Sequence, residues 1–174
     1  MTTPDYASLG PQAMAAGGFQ VPVRAPCPYC ENFAGRFAPH GPPAVVTEDG
    51  VTCAFLAPAP LGGMPGHVLV ITRRHVETIF ELAPEEAAAL GVAVTAAAQA
   101  IRAALDPPGL LVQQNNGVAA FQTVPHFHVH VIPQVSGPFP PATMPQIVHH
   151  EERAVLAAEL RRHGPDAAGG SRPS

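Results

Sequence analysis

Three histidines stand in strict alternation: His126, His128 and His130, separated by Phe127 and Val129 and followed by Val131 and Ile132. In an extended chain alternate side chains share a face, so the three rings would line one groove, with same-face neighbours roughly 6.5–7 Å apart. Imidazole, with a reference pKa near 6.5, is largely neutral at pH 7 and is then a competent nucleophile or proton shuttle. The spacing therefore points to nucleophilic chemistry on one face of a strand, with Phe127, Val129 and Val131 facing a core. Cys27-Pro28-Tyr29-Cys30 is a second reactive set. Two cysteines at this spacing suit a metal knuckle, which needs two further ligands, or a thiol-disulfide centre.

The elements that must carry these groups can be read from local signals. Residues 44–47 and 51–56 flank Glu48-Asp49-Gly50, a hairpin signal. The Pro- and Gly-rich stretch 56–66 is a loop feeding a strand over 67–72. The main helix is expected over Pro84–Leu105: proline stands at the first helical position, Glu85 and Glu86 in the first turn, and Asp106-Pro107-Pro108-Gly109 stops it. Residues 110–114 and 124–133 read as strands joined through Asn115-Asn116-Gly117, and a shorter helix is expected over 151–162. This order predicts an α+β fold: a mainly antiparallel sheet of about five strands, one main helix and a shorter carboxy-terminal helix. A single domain is expected over 23–164, with tails at 1–22 and 165–174.

Composition narrows the function. With 174 residues, 47% hydrophobic and 13% charged side chains and a net charge of −4, the chain has one globular core and no electrostatic footprint for nucleic acid. No apolar run comes near the roughly 20 residues of a membrane span, and the first residues lack the order of a secretory signal. A cytoplasmic protein with no membrane partner is expected. Three cysteines, an odd number, argue against a disulfide framework.

The alternating histidines, together with Asn115-Asn116-Gly117, Gln122-Thr123-Val124, and Pro65-Gly66-His67-Val68-Leu69-Val70-Ile71 followed by His75, are similar to the motifs of the histidine-triad (HIT) superfamily over about residues 27–134. That resemblance implies a HIT-like fold and a two-step displacement. In it His128 attacks the α-phosphorus of a nucleotide ester, anhydride or phosphoramidate and forms a covalent nucleotidyl-histidine, which water or another acceptor resolves. It implies that His130 stabilises charge on a non-bridging oxygen, that His67 lies close behind the nucleophile, and that the other ring nitrogen of His128 meets a backbone carbonyl. Gln122 and Thr123 would contact the phosphate or leaving group, and Asn115 the phosphate or ribose side. A homodimer formed through the main helix and its adjoining strand is implied as well.

The resemblance extends to bacterial zinc-containing members, in which two cysteines, a histidine after a strand and the first triad histidine hold a structural zinc. Cys27, Cys30, His75 and His126 correspond. Two positions depart from the pattern. Ala57 stands where a carboxylate usually accepts the ribose hydroxyls, which implies a non-standard substrate. Phe121 stands where glycine is common, and is placed to cover the phosphate site. A rival reading is a Cys-Pro-Tyr-Cys thiol-disulfide oxidoreductase of glutaredoxin type. Cys30 and Thr123 lie too far apart in sequence for it, and no strand precedes Cys27.

Overall fold

The computed structural model describes residues 19–23, 26–36, 40–61, 65–135 and 147–164. The expected tail at 165–174, and residues 1–18 of the other, lie outside the described residues. Phe19 and Gln20, placed in the amino-terminal tail by sequence, instead touch the domain. Phe19 packs edge-on against Phe80 at 5.3 Å, and the Gln20 carbonyl accepts from the Val118 N–H at 2.8 Å.

Five antiparallel strands form one sheet in the order β1-β2-β3-β5-β4: β1 Ala44–Glu48, β2 Thr52–Leu56, β3 Val68–Thr72, β4 Gly109–Gln114 and β5 His128–Gln134. The hairpin between β1 and β2 closes as expected, with the Asp49 carboxylate accepting from the N–H groups of Val51 and Thr52 at 2.7 and 2.6 Å. Among the described residues three α-helices complete the fold: α1 Pro28–Phe33, α2 Pro84–Leu105 and α3 His150–Arg162.

The α2 bounds coincide with the sequence expectation because its end signals are local. Glu86 accepts from the Ala83 N–H at 2.9 Å, and Asp106 leaves the helix in the left-handed conformation at φ 42°. Contrary to the reading of apolar runs, α2 is long and apolar enough to cross a membrane by length and composition. In this fold it lays Leu90, Ala93, Ala97, Ala100 and Ile101 into the core.

Strands β2 and β3 are buried on both faces. Ala54, Leu56, Val68, Val70, Val129 and Val131 meet α2 and α3, while Cys53, Phe55, Leu69 and Ile71 form a second cluster with Tyr29 and Phe33 of α1. His130 pairs with Leu69 and His128 with Ile71 across β3 and β5, so both rings belong to the α1 side. The histidine face is therefore roofed by α1 rather than solvated.

The histidine strand begins later than alternation suggested. The His126 N–H closes a tight turn onto the Val124 carbonyl at 2.8 Å, and the Phe127 N–H donates to Val76 at 2.5 Å. These bonds bend the chain before β5. His126 consequently lies just outside the strand, although its ring still stands 5.6 Å edge-on from Tyr29, as does that of His128.

Candidate active site and metal centre

The sheet brings His67, His128 and His130 into contact. The rings of His128 and His130 are 4.8 Å apart, and those of His67 and His130 are 5.1 Å apart. A cavity of about 470 Å³ opens beside them, its wall including His67, His130, Thr123, Ala57 and Tyr29. Thr123 is exposed and His130 half-buried, while His128 is 3% exposed and stands one ring behind the wall, edge-on to His130 and Tyr29.

Hydrogen-bond partners fix each tautomer. The nitrogen of His128 that faces the His126 carbonyl, Nδ1 at 2.7 Å, must carry the proton, since a carbonyl can only accept. Nε2 of a neutral His128 is then a bare lone pair. His67 Nδ1 accepts from the Leu61 N–H at 3.2 Å, so its Nε2–H donates to His130 Nδ1 at 2.9 Å. That leaves Nε2–H of His130 as a free donor. Two adjacent rings thus present a nucleophilic nitrogen and a proton donor.

Electrostatics hold these rings neutral. Burial lowers His67 to about 3, with His130 and His128 adding repulsion, and burial lowers His130 to about 4 beside His128. The same desolvation lowers His128, opposed by its bond to the His126 carbonyl. At neutral pH the cluster carries lone pairs rather than charge.

On the other side of Tyr29 the geometry changes purpose. His126 donates Nε2–H to the Thr72 carbonyl at 2.8 Å, which turns its free Nδ1 toward Cys27 Sγ at 3.5 Å and Cys30 Sγ at 3.6 Å. His75 Nδ1 stands 3.3 Å from Cys30 Sγ. The four donor atoms all lie within 4.8 Å of one another, and these residues could hold a metal ion. Burial and the neighbouring Cys27 push the Cys30 thiol up to about 11. A thiol raised in this way ionises readily only beside a cation, and the S2N2 donor set suits one.

Residues 39–137, more than half of the chain, match the HIT domain family. The chain belongs to the HIT family. It is 39% identical over 108 residues to Protein hit of Bacillus subtilis, covering 62% of this chain and 70% of that one. Over 89 residues it is 37% identical to an asymmetrical bis(5'-nucleosyl)-tetraphosphatase of Schizosaccharomyces pombe, covering 51% of this chain and 48% of that protein. An adenosine 5'-monophosphoramidase of the same yeast is 33% identical over 108 residues, 62% of this chain and 74% of its own. Among solved structures, a Hit-like protein from Bartonella henselae superposes with a TM-score of 0.71 at 27% identity, covering 82% of this chain and 98% of that one. A Zn-bound histidine triad family protein from Mycobacterium smegmatis gives 0.66 at 30% identity, covering 82% and 97%.

Within this HIT protein the remaining residues singled out by sequence part company. Gln122 is buried, and its amide is occupied by the fold: Nε2 donates to the carbonyls of Glu77 at 2.7 Å and Val124 at 3.0 Å, and Oε1 accepts from the Gly117 N–H at 2.6 Å. It braces the loop before β5, where a substrate contact had been expected. Asn115, half-buried, donates to the Ala120 carbonyl at 2.5 Å and accepts from Gln113 at 3.0 Å. Phe121 is 84% exposed at φ 63°, a left-handed conformation that costs a side chain and explains why glycine suits the position. Ala57 lies in the cavity wall.

Three participants were missed. Helix α1 supplies Tyr29, which separates the two imidazole sets, and Asn32, in the cavity wall. Arg153 of α3 also reaches that wall and is 3% exposed. The proline after Cys27 was the available sign of α1, since proline favours a first helical turn. No local pattern marks Arg153.

Proposed function

We propose that this protein is a nucleotide hydrolase or nucleotidyl transferase that works through a covalent nucleotidyl-histidine on His128. The bond from His128 Nδ1–H to the His126 carbonyl carries this reading, because it leaves Nε2 as a lone pair beside a proton donor. In the first step Nε2 attacks the α-phosphorus in line. The N–P bond forms as the P–O or P–N bond to the leaving group breaks, and the leaving group departs with the electron pair and takes a proton from solvent. His130 Nε2–H donates to a non-bridging oxygen, where charge builds, and the His67 relay holds it in that tautomer. Thr123, exposed at the cavity, contacts the phosphate or leaving group. In the second step water attacks phosphorus, the N–P bond breaks, its electron pair returns to Nε2, and the water proton is released to solvent. The phosphoramidase and tetraphosphatase relatives support this substrate class.

In the same reading the ion held by Cys27, Cys30, His75 and His126 is zinc, which supplies structure by tying α1 to the ends of β3 and β5. The raised Cys30 thiol and its imidazole neighbours favour this over thiol-disulfide exchange, which needs a low-pKa thiolate. Two copies associate through α2 and the edge strand β4, as light scattering can check.

The test is His128→Ala assayed on adenosine 5'-phosphoramidate and a dinucleoside polyphosphate. Turnover is expected to fall by about four orders of magnitude with the melting temperature preserved. Wild-type rates in the variant would remove the nucleophile and with it the proposal.

A further inference from the structure

Arg153 is a cation taken out of water without an anion to meet it among the described residues. Nε donates to the Val148 carbonyl at 3.1 Å, and Nη2 donates to the carbonyl of His40. Nη1 donates to no group among the described residues. The acid whose field reaches it, Glu151, forms no ion pair with it, nor does any other described carboxylate. Burial accordingly lowers the guanidinium from its ordinary value. A charge so placed is costly unless a counter-ion completes the site.

The head group is anchored where that counter-ion would come. His40, which accepts from Nη2, lines the same cavity as His67 and His130, and so does Arg153 itself. Its placement is rigid: the Val148 N–H, just before α3, is bound to the Pro58 carbonyl at 2.8 Å, which ties the helix start to the loop after β2. Among the described residues no aspartate or glutamate lines the cavity, and Ala57 and Pro58 near that tie offer no side-chain acceptor for a sugar hydroxyl. A planar fork of donors is instead matched to phosphate.

We propose that Arg153 is a specificity-determining residue for a nucleotide that carries a second phosphate on its sugar, the first phosphorus lying at His128. This rests on the nucleotide reading above and narrows its substrate class. Calorimetric titration of the full chain with AMP, adenosine 2',5'-bisphosphate and adenosine 3',5'-bisphosphate tests it. At least one bisphosphate is expected to bind about tenfold or more tighter than AMP, a gain that shrinks as salt rises. In Arg153→Met the gain vanishes while AMP affinity stays within about twofold. Arg153→Gln keeps a donor for the His40 carbonyl without the charge, and the same loss is expected should the first variant fail to fold. Equal affinities for AMP and both bisphosphates in the wild type would overturn the proposal without any variant, leaving the nucleotide reading intact. Persistence of the gain in either folded variant, or a parallel loss of AMP and bisphosphate binding that marks Arg153 as a brace, would overturn it too. Absence of binding by all three ligands would defeat both readings.

Discussion

The two clusters flanking Tyr29, one of imidazoles alone and one that adds two thiols, expose opposite ring nitrogens. At the cysteine cluster the Thr72 carbonyl takes the Nε2 proton of His126, so Nδ1 faces two thiols. Two residues later the His126 carbonyl takes the Nδ1 proton of His128, so Nε2 is the bare nitrogen. On the proposed function, the choice between ligand and nucleophile is made by which ring nitrogen meets a backbone oxygen. One bend in the chain before β5 sets both.

Breaking either cluster should produce distinct damage. Cys30→Ser, or extended chelation, would remove the proposed metal tie between α1 and the sheet. The melting temperature should fall by about 10 °C or more, as scanning calorimetry can follow. Activity per folded molecule at low temperature should survive in part, because the nucleophile's own bond lies elsewhere. An unchanged melting temperature would show that α1 is held by the Tyr29 and Phe33 packing alone. At the other cluster, His67→Phe keeps an aromatic ring but deletes the relay to His130. Loss of tautomer control should lower kcat by about 10- to 100-fold with KM nearly constant. A change confined to KM would assign His67 to binding.

The smallest effect is on stability against pH. Unfolded histidines take up protons near pH 6.5, whereas native His67 does so at about 3 and His130 at about 4. Between these values the unfolded chain binds more protons, so stability is full above about pH 7 and declines as the pH falls toward 4. Urea midpoints across this range should show that slope, and His67→Phe should reduce it. A flat profile would mean that the rings are better hydrated than their burial implies.

How much of this was legible depended on how local the cause was. The α2 helix was readable to the residue, since Pro84, Glu86 and Asp106 act within a turn of its ends. The triad and the cysteine pair were recognisable from residue type and spacing, and the resemblance to the HIT superfamily joined His75 and His126 to the pair. Helix α1 was not, because six residues form no periodic pattern and are held by Tyr29 and Phe33 packing on β2 and β3 side chains. The late start of β5 depends on the Phe127 bond to Val76, some fifty residues away in sequence. Gln122 looked like a phosphate contact until Glu77, Gly117 and Val124 claimed its amide. Arg153 was invisible because its partner at His40 is distant along the chain and its helix has no distinguishing pattern.

The most direct measurement is the position of a trapped nucleotide. Rapid acid quench of the protein with adenosine 5'-phosphoramidate, followed by intact mass and peptide mapping, should show one adenylyl group on residue 128. Phosphorus NMR of the adduct should show the bond to Nε2. A nucleotide attached through Nδ1, or at any other side chain, would contradict the tautomer assignment on which the two-cluster picture stands.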